Sequence, residues 1–258
     1  MELNTLIDHY KNGRYTQAEK IALVIAKTSP SNQLIWKILA AILLQNGRLS
    51  EALEAGKKSV FFAPKDAEAK YNLGVIQHKL GKFDDAINSY SMAIYTDPSH
   101  IQSYINLGTL QQEFGRLEDA ALTFKKAILF KSDNPQFFIS LGNVQHLLNK
   151  FNDAETNFLQ ALTLKPNDYA VLCNLGIVQQ KNGKSKEAET NYRKSINIKP
   201  DYYQAICNLG TVCQELGKLD EAVSLYQQSL KLNSNQAAIH NNLGNALVKL
   251  NKISEAKE

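Results

Sequence analysis

The chain has 258 residues, 44% hydrophobic and 21% charged, with 29 basic and 25 acidic side chains for a net charge of +4. This composition excludes a disordered chain, and with no run of about five like charges it lacks the clustered Lys and Arg of a nucleic-acid footprint. An odd count of cysteines, Cys173, Cys207 and Cys213, indicates no disulfide framework, and the longest nearly apolar stretch, 38–44, is far shorter than the roughly 20 residues of a membrane helix. With no signal-peptide pattern at MELNTLIDHY, the expectation is a cytoplasmic protein without nucleic-acid or membrane partners.

Residues 1–32 read as a degenerate opening hairpin. After them come units of 34 residues at 33–66, 67–100, 101–134, 135–168, 169–202 and 203–236, then an incomplete one at 237–258. The period is carried by rows of residues. Glycine recurs at 74, 108, 142, 176, 210 and 244, and again at 13, 47, 81, 115, 183 and 217, with Asn149 and Asn251 standing in. Alanine recurs at 18, 52, 86, 120, 154, 188, 222 and 256 without a gap, and aromatics at Tyr90, Phe124, Phe158, Tyr192 and Tyr226. Proline holds 30, 64, 98, 166 and 200, with Ser132 and Ser234 filling the row. Repetition at such a period marks a stacked array.

The unit at 33–66 departs most from the others. It carries Leu34, Ile38, Ala41 and Leu44 where later units are polar, and Gly56 in place of the aromatic. Its apolar patch is either covered by the opening hairpin or a contact site for self-association through Leu34, Ile38 and Leu44. The next unit, 67–100, predicts two helices. Leu73, Ile76 and Leu80 form an apolar stripe at helical spacing and Gly81 ends it, while Phe83, Ala86, Ile87, Tyr90 and Ile94 form a second stripe. Asp97-Pro98 then closes the hairpin, because a residue before proline avoids the helical region. Gly74 and Ala86 are expected to be small so that the two backbones approach closely. Ser185 opens the second helix of its unit in place of a large apolar residue. At the far end Leu243, Leu247, Leu250 and Ile253 have no polar cap following them, so the natural chain is expected to continue or that end to pair with another molecule.

A 34-residue hairpin with Leu-Gly in its first helix, Gly before its second, then Ala, an aromatic and Pro resembles the tetratricopeptide repeat, and Trp36 matches that family's first-helix Trp. The resemblance implies an all-α fold, a right-handed α-solenoid (superhelix) of stacked hairpins whose first helices line a concave face. In each first helix an asparagine stands two residues before the glycine: Asn72, Asn106, Asn174, Asn208 and Asn242, with Ser140 interrupting. Asn143, Gln112, Gln180 and Gln214 follow on the same face. A carboxamide offers a donor and an acceptor, so such a row suits an extended polypeptide backbone. It resembles the asparagine ladder in the arm of O-linked N-acetylglucosamine transferases, which implies either a free-standing binding scaffold or the substrate-recruiting arm of a larger glycosyl- or sulfotransferase. The same amides could instead brace neighbouring helices.

Other sites are disfavoured. A clamp for a C-terminal carboxylate, used by some members of the family, would need Asn one turn after Lys37, where Ala41 stands. His78 and His146 lie two units apart, too far to share a metal. The acidic pairs Asp84-Asp85, Glu118-Asp119 and Asp220-Glu221 open second helices, where the helix dipole favours them. No catalytic, cofactor or metal motif appears, so no enzyme activity is expected within the chain.

Overall fold

The computed structural model describes residues 2–250. Among them every regular element is a helix, and the chain divides into two compact units that meet in sequence at Lys131 and Ser132. The first unit holds α1 (Glu2–Lys11), α2 (Tyr15–Thr28), α3 (Gln33–Gln45), α4 (Leu49–Phe62), α5 (Ala67–Lys79), α6 (Phe83–Thr96), α7 (Ile101–Glu113) and α8 (Leu117–Phe130). The second holds α9 (Pro135–Leu147), α10 (Phe151–Leu164), α11 (Tyr169–Lys181), α12 (Ser185–Ile198), α13 (Tyr203–Glu215), α14 (Leu219–Leu232) and α15 (Ala237–Lys249). In each unit successive helices pair as antiparallel hairpins and each hairpin packs on the next, the architecture of a helical-repeat solenoid.

Local chemistry sets the helix ends. Asp66 caps α5 by accepting from the Ala69 N–H at 3.1 Å, and Asp168 caps α11 by accepting from Ala170 and Val171 at 3.1 and 3.2 Å; such caps satisfy donors that the helix leaves orphaned. At the other end, Gly81 has φ +73°, and the Gly81 and Lys82 N–H groups donate to His78 and Gln77 carbonyls, both at 2.9 Å. This is the Schellman closure that a left-handed residue permits. Asn149 occupies the same position with φ +57°. Asparagine is among the few side chains that tolerate this region, so its presence in a glycine row has a conformational cause.

Side chains from both helices of a hairpin fill the core. Ala86, Tyr90 and the following hairpin's Leu107 and Leu110 form one cluster in the first unit, while Cys173, Tyr192, Leu209, Cys213 and Tyr226 belong to one in the second. The first glycine row has a role different from the expected one. A β-carbon on Gly74 would lie 2.7 Å from the Tyr90 ring, and one on Gly176 would lie 2.6 Å from Tyr192. The glycine makes room for an aromatic ring, not for a second backbone. Where the ring is replaced by Gly56 the space is filled from the next hairpin: a β-carbon on Gly56 would lie 3.3 Å from both Leu73 and Ile76 of α5.

The early apolar patch is consumed by packing. Ile38 is 6% exposed, and Leu34 and Leu44 lie half-buried against the core built by α1 to α5, so the opening hairpin covers much of the patch. At the other end Leu247 is buried, and Leu243 and Leu250 pack on the second unit's core. Ile253, Asn251 and Ala256 lie outside the described residues.

Candidate functional site

The amide residues all fall on first helices and all are half-buried: Asn72 on α5, Asn106 on α7, Asn143 on α9, Asn174 on α11, Asn208 on α13 and Asn242 on α15. Each Asn of the main row precedes a Leu that points into the core, which holds the amide at the border between core and solvent. In the first unit, Asn106 Nδ2 donates to the Tyr71 hydroxyl at 3.3 Å and lies 3.5 Å from the Tyr90 hydroxyl. In the second unit, Asn174 Nδ2 donates to Asn143 Oδ1 at 3.1 Å, and Asn208 Nδ2 to Cys173 Sγ at 3.6 Å. Asn72 and Asn242 make no side-chain hydrogen bond among the described residues.

These bonds share a direction. Asn106, Asn174 and Asn208 each send the amide nitrogen back toward the preceding first helix, which leaves Oδ1 as an acceptor with no protein donor among the described residues. Bracing is therefore present, and it occupies only half of each carboxamide. The interruption at Ser140 is filled locally: its hydroxyl accepts from Gln136 Nε2 at 3.3 Å, and Asn143, one turn on, supplies the amide that Asn174 meets.

The glutamines one turn further along respond to what lies beneath them. Gln180 Oε1 accepts from the Tyr192 hydroxyl and Gln214 Oε1 from the Tyr226 hydroxyl, each at 3.3 Å. Gln112 stands in the repeat whose ring is Phe124, which has no hydroxyl to offer. Gln180 Nε2 also donates to Glu215 Oε1 at 2.6 Å. The face carries charges of both signs, Lys79, Glu113, Lys181, Glu215 and Lys249, so neither unit has a one-signed surface there. Lys37, the residue that a carboxylate clamp would use, gives its ammonium to Asp66 at 2.7 Å.

A second amide row escaped the sequence reading. Gln77, Gln111, Gln145 and Gln179 are buried and accept, respectively, from Ser89, Thr123, Asn157 and Asn191 at 2.6 to 2.7 Å. Each bond joins the two helices of one hairpin. The signal was a hydroxyl or amide 12 residues after each glutamine, which a search for ligand groups does not seek. These glutamines are structural: an unpaired buried amide is expensive, and here each has a partner.

One acidic cluster has metal-like spacing. The ligand atoms of Glu189, Cys213 and Glu221 lie within 4.8 Å of one another. Glu189, however, accepts from Lys218 at 2.7 Å and from Arg193 at 2.8 Å, and Glu221 accepts from Arg193 at 2.6 Å. Burial pushes the Cys213 thiol up to about 11. Two cations already neutralise the carboxylates and the thiol stays protonated, so the group is an ion-pair network.

Stacked two-helix units with a polar amide row on their first helices define a helical-repeat scaffold. Sequence profiles described as tetratricopeptide repeat match residues 3–67, 67–100, 101–134, 135–168 and 157–190, and one described as TPR repeat matches 212–251. The chain belongs to the tetratricopeptide-repeat family, an architecture typical of non-catalytic scaffolds that mediate protein–protein interaction. No curated protein matches it.

Solved structures share the fold. The C-terminal part of a TPR repeat-containing protein from Cytophaga hutchinsonii aligns with a TM-score of 0.79 at 18% identity, covering 93% of this chain and 98% of that one. MamA aligns at 0.60 and 25% identity, covering 64% and 97%. YrrB, described as a TPR protein with an unusual peptide-binding site, aligns at 0.63 and 20%, covering 72% and 96%.

Proposed function

We propose that this chain is a scaffold that binds extended polypeptide along the amides of the first helices within each of its units. The observation that carries this reading is the half-used carboxamide. Asn106, Asn174 and Asn208 are held in place by their Nδ2 bonds, and each keeps an acceptor oxygen for a backbone N–H of a passing strand. An oriented group loses less entropy on binding than a free one. A backbone N–H is present at nearly every residue of any peptide, so the row tolerates many sequences. The peptide-binding site named for YrrB sits on the same fold, but at that identity the likeness concerns the fold alone.

The test replaces Asn174, Asn208 and Asn242 together by Ala and titrates a degenerate library of short labelled peptides by fluorescence anisotropy. At about 1 kcal/mol per hydrogen bond, the triple variant should bind at least about ten-fold more weakly. Its helicity and melting should change little, since these amides are half-solvated. Unchanged affinity would remove the row from the mechanism.

A further inference from the structure

The outer surface of the first unit carries a feature that the amide row does not use. Phe61, Tyr95 and Leu129 occupy one position in three consecutive repeats, near the C-terminal ends of α4, α6 and α8, and are 76%, 84% and 83% exposed. The same position in α2, α10, α12 and α14 holds Lys27, Thr163, Asn197 and Lys231, all exposed as well. The repeat thus leaves this site to solvent everywhere and has no structural need of an apolar residue there. Met92, Leu122 and Phe130, also exposed, extend the apolar character on α6 and α8. Large apolar groups gathered on one exposed face mark a surface that something covers.

Charge narrows the choice of partner. Lys57 and Lys58 lie one turn before Phe61, Lys125 and Lys126 one turn before Leu129, and Lys65 and Lys131 follow the helix ends. Among the nearby acids Glu54 pairs with Lys57 at 2.8 Å and Asp66 with Lys37 at 2.7 Å, while Asp97, bonded to Ser99, and the exposed Asp133 keep their charges. Lys58 lies over the Trp36 ring at 4.2 Å, and Lys65, Lys125, Lys126 and Lys131 outnumber the two acids. Asp84 and Glu118 sit at the opposite ends of α6 and α8, roughly 15 Å away at the helical rise. The helix tips therefore present apolar side chains among lysines.

Shape separates a protein from a lipid partner. These side chains protrude, so a protein would have to bring a pocket for each one, and lysine is depleted from protein interfaces. An anionic bilayer attracts lysines near its surface and takes up aromatic and aliphatic side chains at its headgroup boundary without preformed pockets. We propose that the tips of α4, α6 and α8 dock the first unit on an anionic lipid surface. The contact is peripheral, as no helix among the described residues is long and apolar enough to cross a membrane.

Co-sedimentation with sucrose-loaded phosphatidylcholine vesicles, with and without about 30% phosphatidylserine, tests this on the intact chain. Three variants are compared: Phe61→Ser with Tyr95→Ser and Leu129→Ser; Lys125→Glu with Lys126→Glu; and Asn197→Ser as a control at the same repeat position. The parent and the control should bind the anionic vesicles. Either of the first two variants, or high salt, should weaken binding about ten-fold or more. Circular dichroism melts should coincide for all, because every substituted side chain is exposed. A parent that stays in the supernatant, or variants that bind as the parent does, overturns the proposal. So does a lipid-free dimer that the serine variant dissolves, since a second copy would then be what covers the stripe.

Discussion

The Phe124 ring lies directly against the α-carbon of Gly108, so that a β-carbon built on the glycine would fall 2.4 Å from Cζ. No real side chain accepts that distance, and the ring is 1% exposed with nowhere to retreat. Gly108→Ala should cost about 1 to 3 kcal/mol of stability through overpacking, despite alanine's better helix propensity. Adding Phe124→Leu should recover part of the loss, and a double-mutant cycle in urea gives the coupling between the two. An additive cycle would show that ring and glycine do not compete for the same space.

Two serines in one repeat position should respond oppositely. Ser195 is buried and its hydroxyl donates to the Tyr169 carbonyl at 2.8 Å, tying α12 to α11. Ser59 is equally buried, but its hydroxyl finds no protein partner among the described residues. Ser195→Ala should lower stability by about 1 kcal/mol, while Ser59→Ala should be neutral or raise it by a similar amount, because the unsatisfied hydroxyl is removed. Thermal melts of the two variants side by side decide it.

Acid should act through Glu155. Burial raises its carboxyl, but hydrogen bonds from Lys184, Gln179 and Asn182 outweigh that and hold it below its ordinary 4.5. The folded state therefore binds its proton less readily than the unfolded chain does. This contribution is complete above about pH 4.5 and is lost as the pH falls through the lowered folded value. Glu155→Gln should lower the melting temperature most near neutrality, and the gap to the parent should close in acid. Melting curves between neutrality and acid test it; a gap that stays constant would show that the carboxylate charge is not the cause.

Asn149 offers a conformational test. It is the one described non-glycine residue at positive φ. Asn149→Gly should leave stability unchanged or raise it slightly, whereas Asn149→Val should cost about 1 to 2 kcal/mol, since a β-branched side chain crowds the left-handed region. Chemical denaturation of both variants resolves these outcomes.

The cysteines should be slow to react. Burial pushes the Cys173 and Cys213 thiols up to about 11 and also raises Cys207, and the thiolate is the reactive form. A thiol-specific chromogenic reagent should label the native chain far more slowly than the urea-unfolded chain. Equal rates would contradict the burial.

The fold was legible because its determinants are periodic and chemically distinct. Leu73, Ile76, Gly81 and Ala86 announce the hairpin through spacing alone. The purpose of Gly74 was misread, because a sequence shows that space is needed but not what fills it. The buried glutamines of the second row were invisible for a related reason: Gln77 looks like any polar residue of a surface helix until Ser89 is seen beneath it. Within the candidate face, positions could be read but bond directions could not. That Asn174 would lean on Asn143, and that Gln112 would lack the hydroxyl beneath Gln180 and Gln214, depends on contacts between helices. The exposed tips at Phe61, Tyr95 and Leu129 look in sequence like ordinary apolar positions of a last helical turn.

The fit of Gly74 with Tyr90, and that of Gly56 with Leu73 and Ile76, bear on how such a chain can be recombined. The first lies within one hairpin, which carries it wherever it is inserted. The second crosses from α4 to α5, so the hairpin at 33–66 keeps its fit only beside a follower with side chains of the same size. A crossover that joined α3 to α6 would set the methyl of Ala40 against the Tyr90 ring. Gene duplication and protein engineering alike should find the turn inside a ring-bearing hairpin forbidding, and the loop after α4 permissive only where α5 or its like follows.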